Sequence, residues 1–587
     1  MSQQDNNQMQ QHFYRASAAD FGKIPGSPVA YWVSDKERNL YISGAILNTV
    51  ASPKKGLDTG ENDRFLRLWH ETDFNKCCVD GQDKSKQWYP YNKGGDFRRW
   101  YGNREYFVNW RDDGSDIKSR SNWTKKKPTL RNQQYYFKEG FTWTTVSSGG
   151  FSARYSPPGA LFDNGGCTLF ADENLDTFGA LLNSKIASRY LEFLSPTLNF
   201  QPGDIGKILL PTGALDIAVE TKELVKLAKR DWDSYEFSWD FKCNTLLNSK
   251  VKCPTLKQSL QRARQLWNER TTKLKALEEK NNATFNRAYG FDDQIEFTIS
   301  LSEITLTCNP HYRYGGNLTD EEREARLQSD TIAELISYAI GCMMGRYSLD
   351  REGLVYAHAG NEGFKALVEE GAYSTFAADD DGILPLTSEN WFEDDVASRI
   401  EEFVATVWGK EQLEENLKFI ADSLCLYAVK PVKKGGETAR ETIRRYLSSQ
   451  FYKDHLKTYK KRPIYWLFSS GKEKAFECLV YLHRYNESTL PRMRTEYVTP
   501  LLGQMASRIE RKRMEQTEAT TTEAKRLAKE IDSLTKQLNE LRAFDDQLKH
   551  HADMRISLDL DDGVKVNYGK FGTLLSDVKA ITGGKDD

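Results

Sequence analysis

The sequence predicts an α+β multidomain protein, in which a β-rich domain with a docked helix precedes a mainly α-helical region with a long coiled-coil-like arm. Residues 13–211 are rich in Gly, Pro and aromatic residues and contain short alternating runs, whereas long helical periodicities follow residue 212. The length of 587 residues exceeds what one hydrophobic core usually holds, so several domains are expected.

Changes in composition predict the divisions of the chain. The β-rich domain contains alternating runs such as Phe141–Val146 and one helix over Leu175–Leu194, which ends before Pro196. The predicted order is a polar, disordered N-terminus (1–12), the β-rich domain (13–211), a helical connector (212–298), a mainly helical domain (299–460), long helices with the coiled-coil-like arm (461–552), and a short hairpin with a C-terminal tail (553–587).

The strongest helical signal follows Thr319. Thr319 and Glu322 form a capping box at the start of a predicted helix. Apolar residues then recur at three- and four-residue spacing, which is typical of one buried stripe. The stripe consists of Ile332, Leu335, Ile336, Ala339, Ile340, Met343 and Met344. We expect these residues in the core and not around a ligand.

Three further elements are predicted in the second part. Ile299–Cys308 alternates imperfectly, which favours a short strand. Ile556–Tyr568 predicts two short strands around the turn Asp561-Asp562-Gly563. A heptad pattern predicts either a coiled-coil hairpin, with a partner in the same chain preferred, or a partner-binding helix. It consists of Ala524, Leu527, Ile531, Leu534, Leu538 and Leu541.

The charge distribution points to one basic region. The net charge is −2, so a polyanionic partner would have to be held locally. Residues 84–138 contain fourteen Lys or Arg against five Asp or Glu, with Trp88, Trp100, Trp110 and Trp123 between them. Basic groups can neutralise phosphates, and rings support base or sugar contacts. The pattern fits a nucleic-acid surface, and it equally fits a solvated face on an aromatic-cored sheet.

Other chemistries lack a motif in this sequence. It contains no GxxxxGK[ST], HExxH or GxSxG pattern, and its nine cysteines show no spacing suited to zinc. The N-terminus lacks the apolar core of a signal peptide, and no apolar run approaches the length of a membrane span. We therefore expect a cytoplasmic protein with reduced thiols, no metal and no membrane partner.

Several stretches resemble known DNA-modifying proteins. Pro53–Phe65, Leu181–Lys185 and Asn199–Ile205 resemble the target-recognition domains of restriction-modification specificity subunits and fused methyltransferases. Trp88–Asn103 and Tyr136–Gly140 closely resemble PglX, the adenine-specific DNA methyltransferases of type 1 BREX phage-defence systems. The resemblance continues through Asn309–Gly315, Gly345–Asp350, Arg462–Phe468 and Leu560–Tyr568. It covers nearly the whole chain.

The resemblance implies a function. PglX proteins are longer than this chain, and their N-terminal halves carry the S-adenosylmethionine fold with its glycine loop and its Asn-Pro-Pro-Tyr catalytic loop. This chain would be the C-terminal half, with no cofactor site or catalytic residue of its own. It would select the site on double-stranded DNA where the methyltransferase half modifies an adenine. Other BREX proteins and phage-encoded inhibitors are further expected partners.

The residues expected to contact DNA fall into three groups. The opening loop of the recognition domain contributes Lys54, Lys55, Thr59, Asn62 and Arg64. The basic segment contributes Lys84 and Lys86, together with the groove-lining residues Arg98, Arg99, Arg104, Lys125, Lys126, Lys127 and Arg131. Asn199 and Gln201 complete the set. Phosphate contacts would dominate the affinity, and one or two Arg or Asn side chains would read base edges.

Two pseudo-motifs leave a complete methyltransferase open as an alternative. Asn309-Pro310-His311-Tyr312 follows the predicted strand as a catalytic loop would, but His311 replaces the second Pro. Ala357–Gly363 could act as a permuted glycine loop, although it lacks a leading acidic residue and its glycines are spaced GxxG. A second alternative is a non-catalytic scaffold of the defence complex, whose helical arm docks other components.

Overall fold

The computed structural model describes residues 17–119, 126–211, 213–292, 295–432 and 436–583. Helices and strands are both present, so the predicted mixed composition is confirmed. The chain divides into two compact units, each built from separate stretches. Unit 1 contains the chain up to Leu66, Cys78–Trp232 and Trp267–Gly315, and unit 2 contains Arg67–Cys77, Asp233–Leu266 and the chain from Gly316 onward. The six-part division drawn from the sequence stays a prediction.

The strands of the described residues are short. They are β1 (Ala45–Ile46), β2 (Ser52–Lys54), β3 (Leu66–Leu68), β4 (Trp88–Asn92), β5 (Tyr106–Asn109), β6 (Gly140–Trp143), β7 (Ala153–Ser156), β8 (Leu161–Phe162), β9 (Thr168–Phe170), β10 (Leu209–Leu210), β11 (Ile383–Pro385), β12 (Tyr465–Ser469) and β13 (Glu477–Tyr481). They form sheets with the orders β1-β10, β2-β9-β6-β7, β3-β5-β4-β8 and β11-β13-β12.

The longest helices lie after residue 255. The longer ones are α1 (Asp35–Ser43), α2 (Leu175–Leu182), α3 (Lys185–Leu194), α4 (Thr221–Trp232), α5 (Leu256–Tyr289), α6 (Asp320–Met343), α7 (Val396–Trp408), α8 (Leu413–Tyr427), α9 (Ala439–Tyr446), α10 (Tyr452–Thr458), α11 (Thr499–Glu518), α12 (Thr521–Asp553) and α13 (Gly563–Gly569). Shorter helical stretches are Ala18–Phe21, Asn62–Phe65, Arg111–Lys118, Pro202–Ile205, Pro310–Arg313, Phe364–Glu369, Thr489–Arg492 and Val578–Thr582.

The main core of unit 1 lies between the sheet β2-β9-β6-β7 and the helices α2 and α3. Phe141 and Trp143 of β6 are fully buried there together with Tyr190 of α3. Gly179 lets α2 approach the sheet, since a Cβ at this position would lie 2.1 Å from the ring of Phe141. This packing fixes the strands whose ends carry the candidate site.

The single helix predicted over Leu175–Leu194 is instead two helices. Asn183 leaves the helical path because its side chain donates to the carbonyl of Ala153 in β7 at 3.0 Å and accepts from the N–H of Ala153 at 2.9 Å. Ser184 then caps α3 by accepting from the N–H of Ala187. A strand-edge contact therefore overrides a continuous helical pattern.

A buried carboxylate joins the basic segment to α5 within unit 1. Glu278 Oε2 lies 2.8 Å from Arg99 Nη1, and Trp100 Nε1 donates to Glu278 Oε1 at 2.6 Å. All three residues are buried. Because buried charges need compensation, this pair holds Arg99 and Trp100 in the interior.

The helix predicted after Thr319 is confirmed as α6. Thr319 and Glu322 form the capping box, and every predicted residue of the apolar stripe is buried. The strand predicted for Ile299–Cys308 is wrong, because the segment contains a 3-10 turn at Leu301–Glu303 and no strand.

The last part of unit 2 contains two differences from the sequence expectation. Long helices with the coiled-coil-like arm are predicted for 461–552, and this range also contains β12 and β13, an antiparallel hairpin in which Leu467 pairs with Leu479. The predicted terminal hairpin is wrong, since a 3-10 turn and α13 occupy Leu560–Gly569. Asn567 Nδ2 donates to the carbonyl oxygens of Asp559 and Gly563, which stabilises this helical conformation.

The predicted heptad lies on α12. Leu527, Leu534, Leu538 and Leu541 are buried. Helix α11 packs against α12 in the same unit, and Gln516 donates to the carbonyl of Ala524 at 3.1 Å. Whether the pair acts as a coiled-coil arm stays a prediction. None of the helices in the described ranges combines the length and the apolar character needed to cross a membrane.

A neutral histidine lies in the core of unit 2. His455 Nε2 accepts from the backbone N–H groups of Ile464 and Tyr465, both at 3.1 Å. Burial, followed by the positive charge of Arg346, lowers the pKa of His455 to about 3. The folded protein therefore holds this imidazole uncharged at neutral pH.

The buried pair in unit 1 should be a major stabilising contact. Glu278→Ala removes the buried partner of Arg99 and leaves it only Glu303, whose Oε1 lies 3.8 Å from Arg99 Nη2, so we expect the free energy of unfolding to fall by ~3–5 kcal/mol. Glu220→Ala is the matched control, since it removes an exposed 2.9 Å pair with Lys280 and should cost at most ~1 kcal/mol. Urea unfolding monitored by tryptophan fluorescence measures both, and equal losses would contradict the role of Glu278.

His455 should make unit 2 sensitive to acid. Its folded pKa of about 3 lies below the ordinary histidine value of 6.5, so its contribution to stability is present above pH 6.5 and is lost as the pH falls toward 3. His455→Asn should flatten the fall of unfolding free energy in this window by up to ~1.4 kcal/mol per pH unit. Unfolding curves at several pH values measure the slope. His550→Asn, at an exposed position of α12, is the control, and an unaltered slope in His455→Asn would refute the assignment.

Candidate nucleic-acid interface

Several loops of unit 1 leave the same edge of the sheet β2-β9-β6-β7. Thr168, the first residue of β9, pairs with Lys54 at the end of β2 and with Thr142 near the end of β6. Adjacent antiparallel strands run in opposite directions, so the end of one strand lies beside the start of the next. The segments after β2 and β6 and the segment before β9 therefore emerge side by side.

Loops of the second sheet, β3-β5-β4-β8, emerge in the same region as those of the first. β4 and β8 are parallel, with Asn92 paired to Phe162 at the end of each strand. Lys93 and Asp163 follow directly and form an ion pair at 3.6 Å. The loop after β8 is also the loop before β9, so both sheets contribute to one surface.

Hydrogen bonds between the loops hold this surface together. Gly95 N–H donates to Thr144 Oγ1 at 3.0 Å, and Asn164 N–H donates to the carbonyl of Leu57 at 3.0 Å. We call the assembled region the loop surface. It consists of residues 55–61, 93–97, 126–132, 144–147, 163–167 and 197–201.

The opening loop pairs with the end of the basic segment. Asp58 and Thr129 exchange two backbone hydrogen bonds of 2.9 and 2.8 Å, and Lys126 Nζ lies 2.7 Å from Asp58 Oδ2. Burial acts to raise the pKa of Asp58, but hydrogen bonds from Lys126 and Gly60 and the charges of Lys126 and Arg131 outweigh it and lower the pKa. Asp58 therefore stays ionised and offsets part of the positive charge here.

Other cations of the loop surface are held by neutral groups. Arg131 is exposed, and its Nη1 donates to Asn164 Oδ1 at 3.4 Å. Asn132 Nδ2 donates to the carbonyl of Lys55 at 2.8 Å, which places Lys55 next to the same segment. A guanidinium held by an amide keeps its charge available for a phosphate. Arg131 is thus an exposed cation available to an anionic partner, and the half-buried Lys55 lies on the adjacent segment.

Three predicted groove residues lie in the interior. Arg98, Arg99 and Arg104 are each less than a tenth exposed. Arg98 Nη1 lies 3.8 Å from Asp231 Oδ2, and Arg99 is paired with Glu278 as described above. Their predicted position on a groove surface is therefore corrected to an interior one. For Arg98 and Arg99 the physical reason is that carboxylates of α4 and α5, later in the sequence, pair with their guanidinium groups away from water.

Lys84 and Lys86 lie at the other end of β4. They precede Trp88, the first residue of the strand, whereas the loop surface begins after its last residue. A five-residue strand separates the two ends by ~13 Å. A role for this lysine pair in DNA binding stays a prediction, but the structure does not bring them to the loop surface.

The opening loop mixes ordering residues with exposed ones. Thr59 is buried, and its hydroxyl donates to Asn62 Oδ1 at 2.7 Å. Asn62 and Arg64 are exposed on the short helix that follows. Lys54 Nζ lies 5.6 Å from the centre of the Tyr135 ring. The Thr59 hydroxyl therefore helps to fix the conformation of the opening loop, while Asn62 and Arg64 are exposed to solvent.

Four other predicted residues belong to the loop surface itself. Lys126 and Lys127 are exposed at the end of the basic segment. Asn199 is exposed, and the side chain of Gln201 donates to it. Lys125 lies outside the described residues.

The sequence analysis did not include Lys93, Thr144 and Asn164 among the residues expected to contact DNA. Gly94-Gly95 and Gly165-Gly166 mark the loops that carry or adjoin two of these residues, so a turn signal was present. Strand register was the missing information, since it alone brings the three loops together. Amide and hydroxyl groups of this kind can hydrogen-bond phosphates or base edges.

The geometry of Asn309 argues against a catalytic loop. Its Nδ2 donates to the carbonyl oxygens of Leu301 and Ile304, both at 2.8 Å, and its Oδ1 accepts from the N–H of His311 at 3.1 Å. The residue is buried. Tyr312 donates its hydroxyl to the carbonyl of Phe97. The amide that would hold an adenine amino group is thus fully engaged in capping the helix Pro310–Arg313.

The second pseudo-motif, Ala357–Gly363, lies in unit 2. Asn361 N–H donates to the carbonyl of His483 at 3.0 Å, and its Oδ1 accepts from Arg484 Nε at 3.0 Å. These contacts fasten the segment to the hairpin of β12 and β13 and its continuation. Among the described residues, no group of three or more His, Cys, Asp or Glu is placed to share a metal ion.

Comparison with known proteins supplies the functional context. No protein-family model matches the chain. It is 53% identical over 572 residues to the adenine-specific methyltransferase BrxX of Escherichia coli O9:H4 (strain HS), a match that covers 96% of this chain and 46% of BrxX. It is 39% identical over 590 residues to the adenine-specific methyltransferase PglX of Lacticaseibacillus casei (strain Zhang), covering 97% of this chain and 46% of PglX.

The chain is homologous to part of both methyltransferases. The resemblance to PglX drawn from the sequence is thereby confirmed. The chain spans about half the length of the curated relatives it matches.

Asn309 should be needed for folding of its loop. Asn309→Ala removes the helix cap and the donor to the carbonyl oxygens of Leu301 and Ile304, the second of them in a buried bond, so the free energy of unfolding should fall by ~1–3 kcal/mol. Urea unfolding measures the change. Asn199→Ala, at an exposed position, is the control and should change it by less than ~0.5 kcal/mol. An unchanged stability in Asn309→Ala would show that the amide is free for another role.

Proposed function

We propose that the loop surface of unit 1 binds double-stranded DNA and selects the site at which a BREX adenine methyltransferase acts. The observation that carries the proposal is the meeting of both sheets' loops at one edge, where Arg131 contacts the amide side chain of Asn164 and its neighbour Asn132 donates to the carbonyl of Lys55. Cations can hold the phosphates while amides read base edges. Homology to two adenine-specific methyltransferases, BrxX and PglX, supports DNA as the polyanion.

We assign the chemical step to the half of such a methyltransferase that this chain does not match. There S-adenosylmethionine would supply the methyl group for the exocyclic amino group of one adenine. In this chain the Asn309 loop carries a structural set of hydrogen bonds, which weighs against a complete site here. The chain would contribute the choice of sequence and the grip on the duplex.

The helical region would serve assembly in the cytoplasm. The hairpin of α11 and α12 exposes charged side chains along its length, as a docking arm for other BREX proteins or a phage-encoded inhibitor would. A scaffold of this kind is compatible with DNA recognition, because the two roles use different units. It would become the main function only if unit 1 did not bind DNA.

Charge reversal on the loop surface should weaken DNA binding. Lys55→Glu combined with Arg131→Glu removes two phosphate-binding cations, so affinity for any duplex should fall and the slope of log K against log salt should decrease by up to ~1.8. Fluorescence anisotropy with a labelled duplex over a salt series measures both quantities. Full-length chain is used for each measurement.

Lys84→Glu combined with Lys86→Glu is the matched control, because it makes the same charge change at the opposite end of β4. It should retain most of the affinity and nearly the same slope. Equal effects of the two double variants would reject the loop surface as the interface. Absence of DNA binding by the wild-type chain would reject the proposed function.

A further inference from the structure

A strained turn ends α10 in unit 2. The N–H of Lys460 donates to the carbonyl of Lys457 at 3.2 Å, and the N–H of Lys461 donates to the carbonyl of Leu456 at 2.7 Å. These two hydrogen bonds form the Schellman end of a helix, in which the residue after the cap takes a left-handed conformation. Lys460 occupies that position with φ 50°, and Lys461 is left-handed as well, with φ 57°.

Glycine is the usual residue at such a position. A side chain in the left-handed region is disfavoured, because its Cβ lies too close to the backbone. Two other helices of this chain follow the rule, since Gly290 with φ 69° and Gly345 with φ 76° lie just after α5 and α6. At the end of α10 two consecutive lysines adopt a conformation that suits glycine, so the path of the backbone does not by itself account for them.

Buried contacts on both sides hold the turn in place. Tyr459, before it, is buried and donates its hydroxyl to Glu236 Oε2 at 2.7 Å. Arg462, after it, has its Nε 4.0 Å from Glu71 Oε2, and its carbonyl oxygen lies 3.2 Å from His70 Nε2. Strained backbone persists where the surroundings determine it in this way, and it is concentrated at functional sites.

The same stretch carries a dense positive charge. Residues 453–462 contain five Lys or Arg and one Asp. The acid, Asp454, is engaged within its own helical segment, because Tyr446 donates its hydroxyl to Oδ2 at 3.0 Å and Gln450 Nε2 donates to Oδ1 at 2.9 Å. Four of the cations are exposed, namely Lys453, Lys457, Lys460 and Lys461. We call residues 457–461 the lysine turn.

The end of a helix attracts cations for a structural reason as well. Its last carbonyl groups carry partial negative charge, and a lysine in the last turn is favoured for that reason. Lys457 lies in the last turn of α10 and already meets this need. The effect does not favour lysine over glycine strongly enough to explain two left-handed lysines beyond the cap.

We propose that the lysine turn binds the phosphate backbone of a DNA duplex, as a contact made by unit 2 in addition to the loop surface of unit 1. This inference rests on the proposed function, which supplies the duplex, and adds to it a contact that does not depend on sequence. Phosphates follow one another closely along both strands, and lysine places a compact charge on a long flexible stem. Lysines on one fixed turn can therefore reach neighbouring phosphates without pointing in the same direction.

An acidic protein is the other class of partner, and the composition of the turn favours it less. The centre of a protein interface is apolar, with a polar rim around it. Leu456 and Tyr459 are the large apolar residues of 453–462, and neither is exposed. The stretch thus offers charge without an apolar centre, which suits phosphates better than a folded protein.

The test replaces both left-handed lysines by glycine in the full chain. In Lys460→Gly combined with Lys461→Gly, the affinity for a duplex at about 0.1 M salt should fall by about threefold to thirtyfold, and the slope of log K against log salt should decrease by up to ~1.8. The loss should be the same for duplexes of different sequence, because phosphates carry no sequence information. Fluorescence anisotropy over a salt series measures these quantities. The melting temperature should stay the same or rise, since glycine relieves the left-handed strain.

Two double variants serve as controls. Lys460→Arg with Lys461→Arg keeps both charges at the turn and should bind DNA like the wild type. Lys525→Ala with Lys529→Ala removes two exposed lysines of α12, and the affinity and the slope should stay nearly unchanged. An equal loss in this α12 variant would reveal a general effect of net charge and would overturn the inference. Circular dichroism gives the melting temperature of every variant.

The outcomes separate the inference from the proposed function. If the wild-type chain binds no duplex, the proposed function fails. If charge reversal on the loop surface weakens binding while the glycine variant binds like the wild type, the inference fails and the proposed function stands. A joint fall of affinity and melting temperature in the glycine variant would show that the lysines are structural. Retained DNA binding with lost binding to poly-glutamate would assign the turn to an acidic protein, and either of these last two results overturns the inference.

Discussion

The carboxylate of Glu278 determines how the basic segment of unit 1 is arranged. It accepts hydrogen bonds from two consecutive residues of that segment, Arg99 and Trp100, and so turns them toward α5. A buried guanidinium without such a partner would be strongly unfavourable, so the contact and the course of the chain depend on each other. Once residues 98–100 are fixed inside, residues 93–97 must leave β4 at the edge where the loops of both sheets meet.

The basic residues of this segment therefore fall into two groups, one buried and one exposed. Arg98 and Arg99 neutralise carboxylates in the interior, whereas Lys126, Lys127 and Arg131 remain at the surface. Among the surface residues, Lys126 forms an ion pair with Asp58, which offsets its charge. The loop surface is therefore less cationic than the composition of the segment indicates. Under the proposed function, amide side chains would therefore contribute to binding alongside the cations.

Asn309 illustrates how a short motif can be explained by packing alone. Asn-Pro at the start of a helix satisfies two needs at once, because the amide caps the N-terminus and proline lacks the N–H that would be unpaired there. Its neighbour Tyr312 anchors the same helix to Phe97 in the basic segment. The resemblance to a catalytic loop is thus accounted for by local backbone chemistry.

The local sequence pattern was sufficient to predict an element whose signals all lie within that element. The capping box at Thr319 and the buried stripe of α6 follow from side-chain spacing, because helical periodicity is a property of neighbouring residues. The local signals failed at Ile299–Cys308 and at the terminal segment, where short alternating runs gave no strand partner. They also failed to indicate β12 and β13, which exist because each pairs with the other.

By itself the sequence determined the mixed class, the long helices, the presence of a basic aromatic segment and the resemblance to adenine methyltransferases. Only the tertiary structure decided which basic residues face water. Arg98 pairs with Asp231 and Arg99 pairs with Glu278, each more than a hundred positions later in the sequence. The tertiary structure also decided that Val146 pairs with Asn199. The physical reason is the same in both cases: ion pairing and strand register act through space between residues that no local pattern connects.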